Sequence, residues 1–144
     1  MTQFCTFTLG DLHFGIETLH VQEVIRNREM TTIPLAPGAV RGLINLRGQI
    51  VTAIDLGQRL ELPGREAAEP SVHVVVNVDG AAVSMLVDSI GDVVDAGSSS
   101  FERPPDTLDE WVRELILGVH KLEGRLLLVL DVVKATDVAP ALAA

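Results

Sequence analysis

The stretch Asn45-Leu46-Arg47-Gly48-Gln49-Ile50-Val51-Thr52-Ala53-Ile54-Asp55-Leu56 returns, altered, as Lys121-Leu122-Glu123-Gly124-Arg125-Leu126-Leu127-Leu128-Val129-Leu130-Asp131-Val132. Its glycine and its aspartate both recur after 76 residues (124 − 48 and 131 − 55). Each copy reads as a strand, a glycine turn, and an apolar strand that ends at an aspartate. A second pair of stretches, Ile16-Glu17-Thr18-Leu19 and Val87-Asp88-Ser89-Ile90, repeats after 71 residues (88 − 17). Each leads to an acid followed by two branched apolar residues, Glu23-Val24-Ile25 and Asp92-Val93-Val94. The order is hairpin, acidic crossover strand, connector, glycine hairpin, repeated once. This order predicts a mainly β chain built as two pseudo-equivalent small barrels with hidden edges.

The remaining punctuation agrees. Gly10-Asp11 joins Gln3–Leu9 to Leu12–Ile16, and Asp79-Gly80 joins Val72–Val78 to Ala81–Val87. Val, Ile and Thr dominate these segments, as a pleated, half-buried surface requires. Short helices are expected after Asp55 and Asp131, where each aspartate can cap orphan backbone N–H groups. Others are expected at Pro37–Val40 and Asp106–Val112. Pro63–Pro70 reads as a polar loop, and 139–144 as a tail beyond a single domain of residues 1–138.

A chain of 144 residues, 47% apolar, suffices for one domain with a packed core. The net charge of −9 and the scarcity of aromatics argue against a nucleic-acid partner. No apolar run approaches a membrane span, so direct membrane insertion is not expected. A lone Cys5 forms no intrachain disulfide and reads as a buried strand residue in a cytoplasmic protein. The histidines at 13, 20, 73 and 120 lack ligand spacing. His73 interrupts an apolar strand and reads as a partly buried imidazole with a backbone partner. No nucleophile elbow or phosphate loop is present, so neither enzyme chemistry, a cofactor nor a metal is expected.

Two residues stand out. Glu123 occupies the place of Arg47 in the repeat, so the hairpin does not need an arginine to form. Arg47 is thereby free for a partner, and its forked guanidinium suits protein interfaces. In the strand-like Val21-Gln22-Glu23-Val24-Ile25, Val21 and Glu23 share one face.

Several blocks in order resemble the CheW family of bacterial chemotaxis adaptors. They are Phe14-Gly15-Ile16-Glu17, Val21–Ile25, Thr32-Ile33-Pro34, Val40-Arg41-Gly42-Leu43-Ile44-Asn45-Leu46-Arg47-Gly48-Gln49-Ile50-Val51, Val87–Val94, Pro104-Pro105, and Ile116 through Asp131. The likeness spans about residues 3 to 135. It implies two intertwined five-stranded SH3-like barrels and a non-enzymatic adaptor in its free-standing form. Its implied partners are the regulatory domain of a CheA-type histidine kinase and the cytoplasmic tip of methyl-accepting chemoreceptors, with other CheW-like domains in rings beneath the receptor array. The implied partner-binding residues are Val21, Glu23, Gly42, Asn45, Arg47 and Ile90, with Glu23 on the kinase side. A non-flagellar pathway such as a type IV pilus system fits equally, and a small-ligand barrel is the reading from another class.

Overall fold

The computed structural model describes residues 2–26, 29–32, 39–62, 72–97 and 100–137. Eleven strands are described. They are β1 (Thr2–Leu9), β2 (Leu12–Glu17), β3 (Val21–Arg26), β4 (Val40–Leu46), β5 (Gln49–Asp55), β6 (Val72–Val78), β7 (Ala81–Val87), β8 (Ser89–Ala96), β9 (Phe101–Glu102), β10 (Ile116–Leu122) and β11 (Arg125–Leu130). They form a six-stranded sheet ordered β8-β1-β2-β11-β10-β9 and a five-stranded sheet ordered β3-β6-β7-β5-β4. Strand for strand the orders correspond, and each sheet mixes both sequence copies. The first hairpin, β1–β2, is completed by β8 and β10–β11 of the second copy. The hairpin β6–β7 is completed by β3 and β4–β5 of the first. The joints are parallel, β2 with β11 and β5 with β7, while the other pairs of named strands are antiparallel.

Five strands were expected per barrel, and one sheet has six because Phe101–Glu102 pairs with β10. The other sheet keeps a remnant of the same strand: Thr31 bridges to Leu43, as Glu102 pairs with Val119 one repeat later. The register shift at this edge is duplicated too, between Val40 and Gly42 and between Ile116 and Gly118.

Burial follows from this layering. Val74 and Val76 join the main core with Phe7, Phe14, Met85 and Leu128, whereas Val75 faces a smaller cluster with Ile44, Val51 and Leu86. Leu128 and Leu130 likewise face the main core, and Leu127 and Val129 face Phe4 and Ala96. Strands buried on both faces carry near-continuous apolar runs rather than alternation, as Leu126–Leu130 does and as Val72–Val76 does apart from His73. The main core draws on both sheets, so the two barrels share one interior.

Short helices close each glycine hairpin as expected. Asp55 caps α1 (Leu56–Arg59) by accepting from the Gln58 N–H at 3.2 Å, and Asp131 caps α3 (Val132–Ala135) by accepting from Lys134 N–H at 3.1 Å. The helix expected over 106–112 begins later, as α2 (Glu110–Glu114). Leu108 N–H closes a turn on the Pro105 carbonyl, and Asp109 stays extended with ψ 144°, which delays nucleation. Of the helical turn expected at 37–40, residues 37 and 38 lie outside the described residues, while Val40 instead opens β4 and pairs with Ile54. The loop at 63–70 and the tail at 139–144 lie wholly outside the described residues.

Cys5 is buried, and burial pushes its thiol up. His73 is fully buried rather than partly so, and its Nδ1 shares a 2.8 Å hydrogen bond with Ser84 Oγ. His13 and His120 are buried as well; burial lowers both imidazole pKa values, and Arg125 lowers that of His13 further.

Two expectations follow. Gly42 is buried, and a Cβ there would lie 2.3 Å from the Thr31 carbonyl oxygen. Gly42→Ala should therefore cost about 2 kcal/mol in urea unfolding; an unchanged midpoint would show that the Thr31 segment yields freely. The lowered histidines bind fewer protons folded than unfolded. Their stabilising contribution is complete above the unfolded imidazole value, about 6.5, and is lost as pH falls below it. Unfolding free energy should drop between pH 7.5 and 5.5, and His13→Asn should drop less than the parent protein.

Candidate functional site

Two-residue hairpins favour turns with positive φ at both central positions, because their twist matches that of the strands. Leu46 pairs with Gln49, leaving Arg47 and Gly48 as the loop, with φ +54° and +86°. The Asn45 side chain secures this turn by accepting from Gly48 N–H at 2.9 Å. The left-handed region costs a residue with a Cβ about 1 kcal/mol, so Arg47 is held in a conformation that most side chains avoid. The repeat departs here: Gly124 has φ +84°, but Glu123 is not left-handed. Thus the two turns share a place in the fold and not a backbone shape.

From this turn the Arg47 guanidinium meets Glu23 fork to fork. Nη1 donates to Oε2 at 2.5 Å and Nη2 to Oε1 at 3.1 Å. The expectation that Arg47 is free of the fold is corrected, because it has an intramolecular partner. The pair joins β3, at one end of the five-stranded sheet, to the hairpin of β4 at the other. The arginine side chain is 73% exposed and the glutamate 22%. An ion pair this wet contributes at most about 1 kcal/mol. Holding the fold together therefore accounts for little of it, and the remaining guanidinium donors stay available on the outer surface. At the equivalent places of the second copy, Asp92 and Glu123 carry like charges and line an open cleft with Arg125 and His13.

The other sequence-selected residues divide by burial. Val21 and Ile90 are half-buried and pack against the main core. Along β3 burial alternates, with Val21, Glu23 and Ile25 inward and Gln22, Val24 and Arg26 outward. Gly42 is required by its close approach to Thr31, and Gly118 meets Glu102 and Phe101 in the same way. Asn45 acts on its own turn. Three exposed apolar residues near these positions were not singled out from sequence: Val24 on β3, its repeat counterpart Val93 on β8, and Ile50 opposite Asn45. Alternation along β3 could have exposed Val24, and the duplication would then have found Val93. No group of three or more metal-ligating side chains comes together among the described residues, and no helix there is long and apolar enough to cross a membrane.

The surface so described is a pair of outward strands, β3 and β8, plus a clamped arginine at a hairpin tip. Such a surface offers contacts, not bond chemistry. The CheW-like domain family matches residues 3–139. The chain is 32% identical over 132 residues to the chemotaxis protein CheW of Rhizobium meliloti (strain 1021), covering 90% of this chain and 83% of that one. It is also 32% identical over 132 residues to the chemotaxis protein CheW of Klebsiella aerogenes, covering 92% and 80%. Among solved structures, the scaffolding protein TtCheW from Thermoanaerobacter tengcongensis is similar with a TM-score of 0.80 at 27% identity, covering 90% of this chain and 88% of that one. These relatives are named as chemotaxis and scaffolding proteins rather than enzymes. This chain, with its strand-exchanged sheets and clamped hairpin arginine, belongs to the CheW-like domain family and is of its chemotaxis scaffold kind.

Proposed function

We propose that this protein couples methyl-accepting chemoreceptors to a CheA-type histidine kinase, acting in the cytoplasm at membrane-associated receptor arrays. The observation that carries the reading is the exposed fork that ties Arg47, at the tip of the β4–β5 hairpin, to Glu23 on β3. It costs backbone strain at Arg47 and returns little stability, which is what a contact residue held ready for a partner looks like. Val24, Val93 and Ile50 add apolar area on the same two edge strands and hairpin. Val21, Glu23, Gly42, Asn45, Arg47 and Ile90 form the working set, in which Gly42 and Asn45 shape the surface and Arg47 and Glu23 touch the partner. Other CheW-like domains, including that of the kinase, are natural neighbours in a ring.

Signal passes through such an adaptor only if its contacts differ in free energy between receptor states. A guanidinium shared between an internal carboxylate and an external one provides such a difference, because partner binding competes with Glu23.

Arg47→Glu, which copies the repeat's own residue, should leave the urea midpoint nearly unchanged. If the arginine sits centrally in the contact, binding to the kinase regulatory domain or receptor tip should weaken by about 2 kcal/mol, roughly 30-fold. The charge swap Glu23→Arg with Arg47→Glu restores the internal pair. Binding that stays weak in the swap supports a direct partner contact, whereas full recovery would mean that the pair only shapes the surface. Undiminished binding in the folded Arg47→Glu variant would remove Arg47 from the site.

A further inference from the structure

Asp55 and Asp131 do the same work as helix caps, yet their second oxygens differ. Asp55 is fully buried, and its Oδ2 accepts from Arg41 Nη1 at 3.0 Å. The matched register shifts place Leu117 where Arg41 stands. Asp131 therefore has no arginine, and its Oδ2 has no hydrogen-bond or ion-pair partner among the described residues. Instead Asp131 and Leu117 both line a cleft of about 530 Å³ between the tip of the β6–β7 hairpin and the end of the six-stranded sheet.

The rest of the cleft suits a cation with an apolar stem. Among the described residues no Lys or Arg lines it, while Glu17 and Asp79 add negative charge to that of Asp131. Its apolar wall includes Phe101, Leu117 and Val133, which are 43%, 58% and 59% exposed. His120 lies between Phe4 and Phe101, with ring centroids 5.3 and 5.1 Å away, and its Nδ1 is held 2.8 Å from Ser100 Oγ. Burial lowers its pKa, which favours the neutral imidazole. The exposed face of Phe101 can also attract a cation. His20, also on the wall, lies 3.4 Å from Glu17.

We propose that this cleft binds a guanidinium group on an apolar stem, with Asp131 Oδ2 as the acceptor that Arg41 satisfies internally in the other copy. A guanidinium is favoured over an ammonium because the first copy already seats one against the equivalent carboxylate, Asp55, and because a planar fork suits carboxylate geometry. The same chemistry can arrive on a free small molecule or on an arginine side chain of a docked protein. The site is separate from the Arg47 surface and does not rest on the coupling role.

The test is a titration of the ¹⁵N-labelled protein with butylguanidinium, and in parallel with a short Leu-Arg-Leu peptide amide. Saturable shifts are expected at Leu117 and at residues 131 to 134, at millimolar concentration for butylguanidinium. Tighter binding of the peptide would identify a protein arginine as the source; equal or weaker binding would identify a free guanidine. Asp131→Asn keeps a capping side chain and should weaken binding at least 10-fold. Leu117→Arg builds in the first copy's own guanidinium, so it should abolish binding and raise the melting temperature. Absence of saturable shifts in the parent protein, or equal affinity in Asp131→Asn and Leu117→Arg, would overturn the proposal.

Discussion

Two parallel joints hold the molecule together: β2 against β11, with Phe14 opposite Leu128, and β5 against β7, with Ala53 opposite Ser84. Neither hairpin of a joint could bury both of its faces without the other. An isolated two-stranded unit is marginal in water, and three or more strands with an apolar face are needed for independent stability. The joints bring Phe7, Phe14, Val74, Met85 and Leu128 into one interior. The first joint links strands near opposite ends of the chain. Closing so long a loop costs entropy before any contact is gained, which makes folding slow relative to a protein of local contacts.

On this frame the two copies serve as controls for one another. What both retain belongs to the scaffold: the glycine turn, the capping aspartate, the register shift and the glycine tucked under an edge segment. What only one retains is available for other work. Arg47 with Glu23 is present in the first copy and replaced by two acids in the second. Arg41 with Asp55 is present in the first and replaced by an open cleft in the second. The first copy is internally neutralised at both places, and the second is left acidic at both. Since charge is what differs, the two halves present distinct electrostatic faces on one backbone plan.

Much of the fold was legible because it rests on short-range chemistry. Asp79-Gly80 and the glycine of each repeat marked the hairpins, and Asp55 and Asp131 marked the helix starts. The largely apolar runs Val72–Val76 and Leu126–Leu130 marked strands, but that both of their faces are covered became visible only with the sheets assembled. Strand exchange was visible only through family resemblance, because pairing between distant strands leaves no local pattern. β9 was missed because two residues carry no periodicity, and α2 was placed early because Asp109 resembles an interior helix residue until its extended ψ is known. At the site, Arg47 and Glu23 were each singled out, but their mutual pairing depends on barrel closure. The substitution of Leu117 for Arg41 was present in the duplication all along; it gained meaning only once Asp55 was seen to use both oxygens.

Each barrel borrows its first hairpin from one copy and its other strands from the other copy. That is the arrangement of two identical chains trading hairpins about a twofold axis, here written into a single polypeptide. The connection between α1 and β6 then ties the two halves of such a pair into one chain. Joined in one chain, the halves need not be identical, and at Arg47 and Arg41 they are not. A symmetric pair would present the same face twice, whereas this chain has a left side and a right side. Asymmetry of that kind would suit the coupling role proposed above.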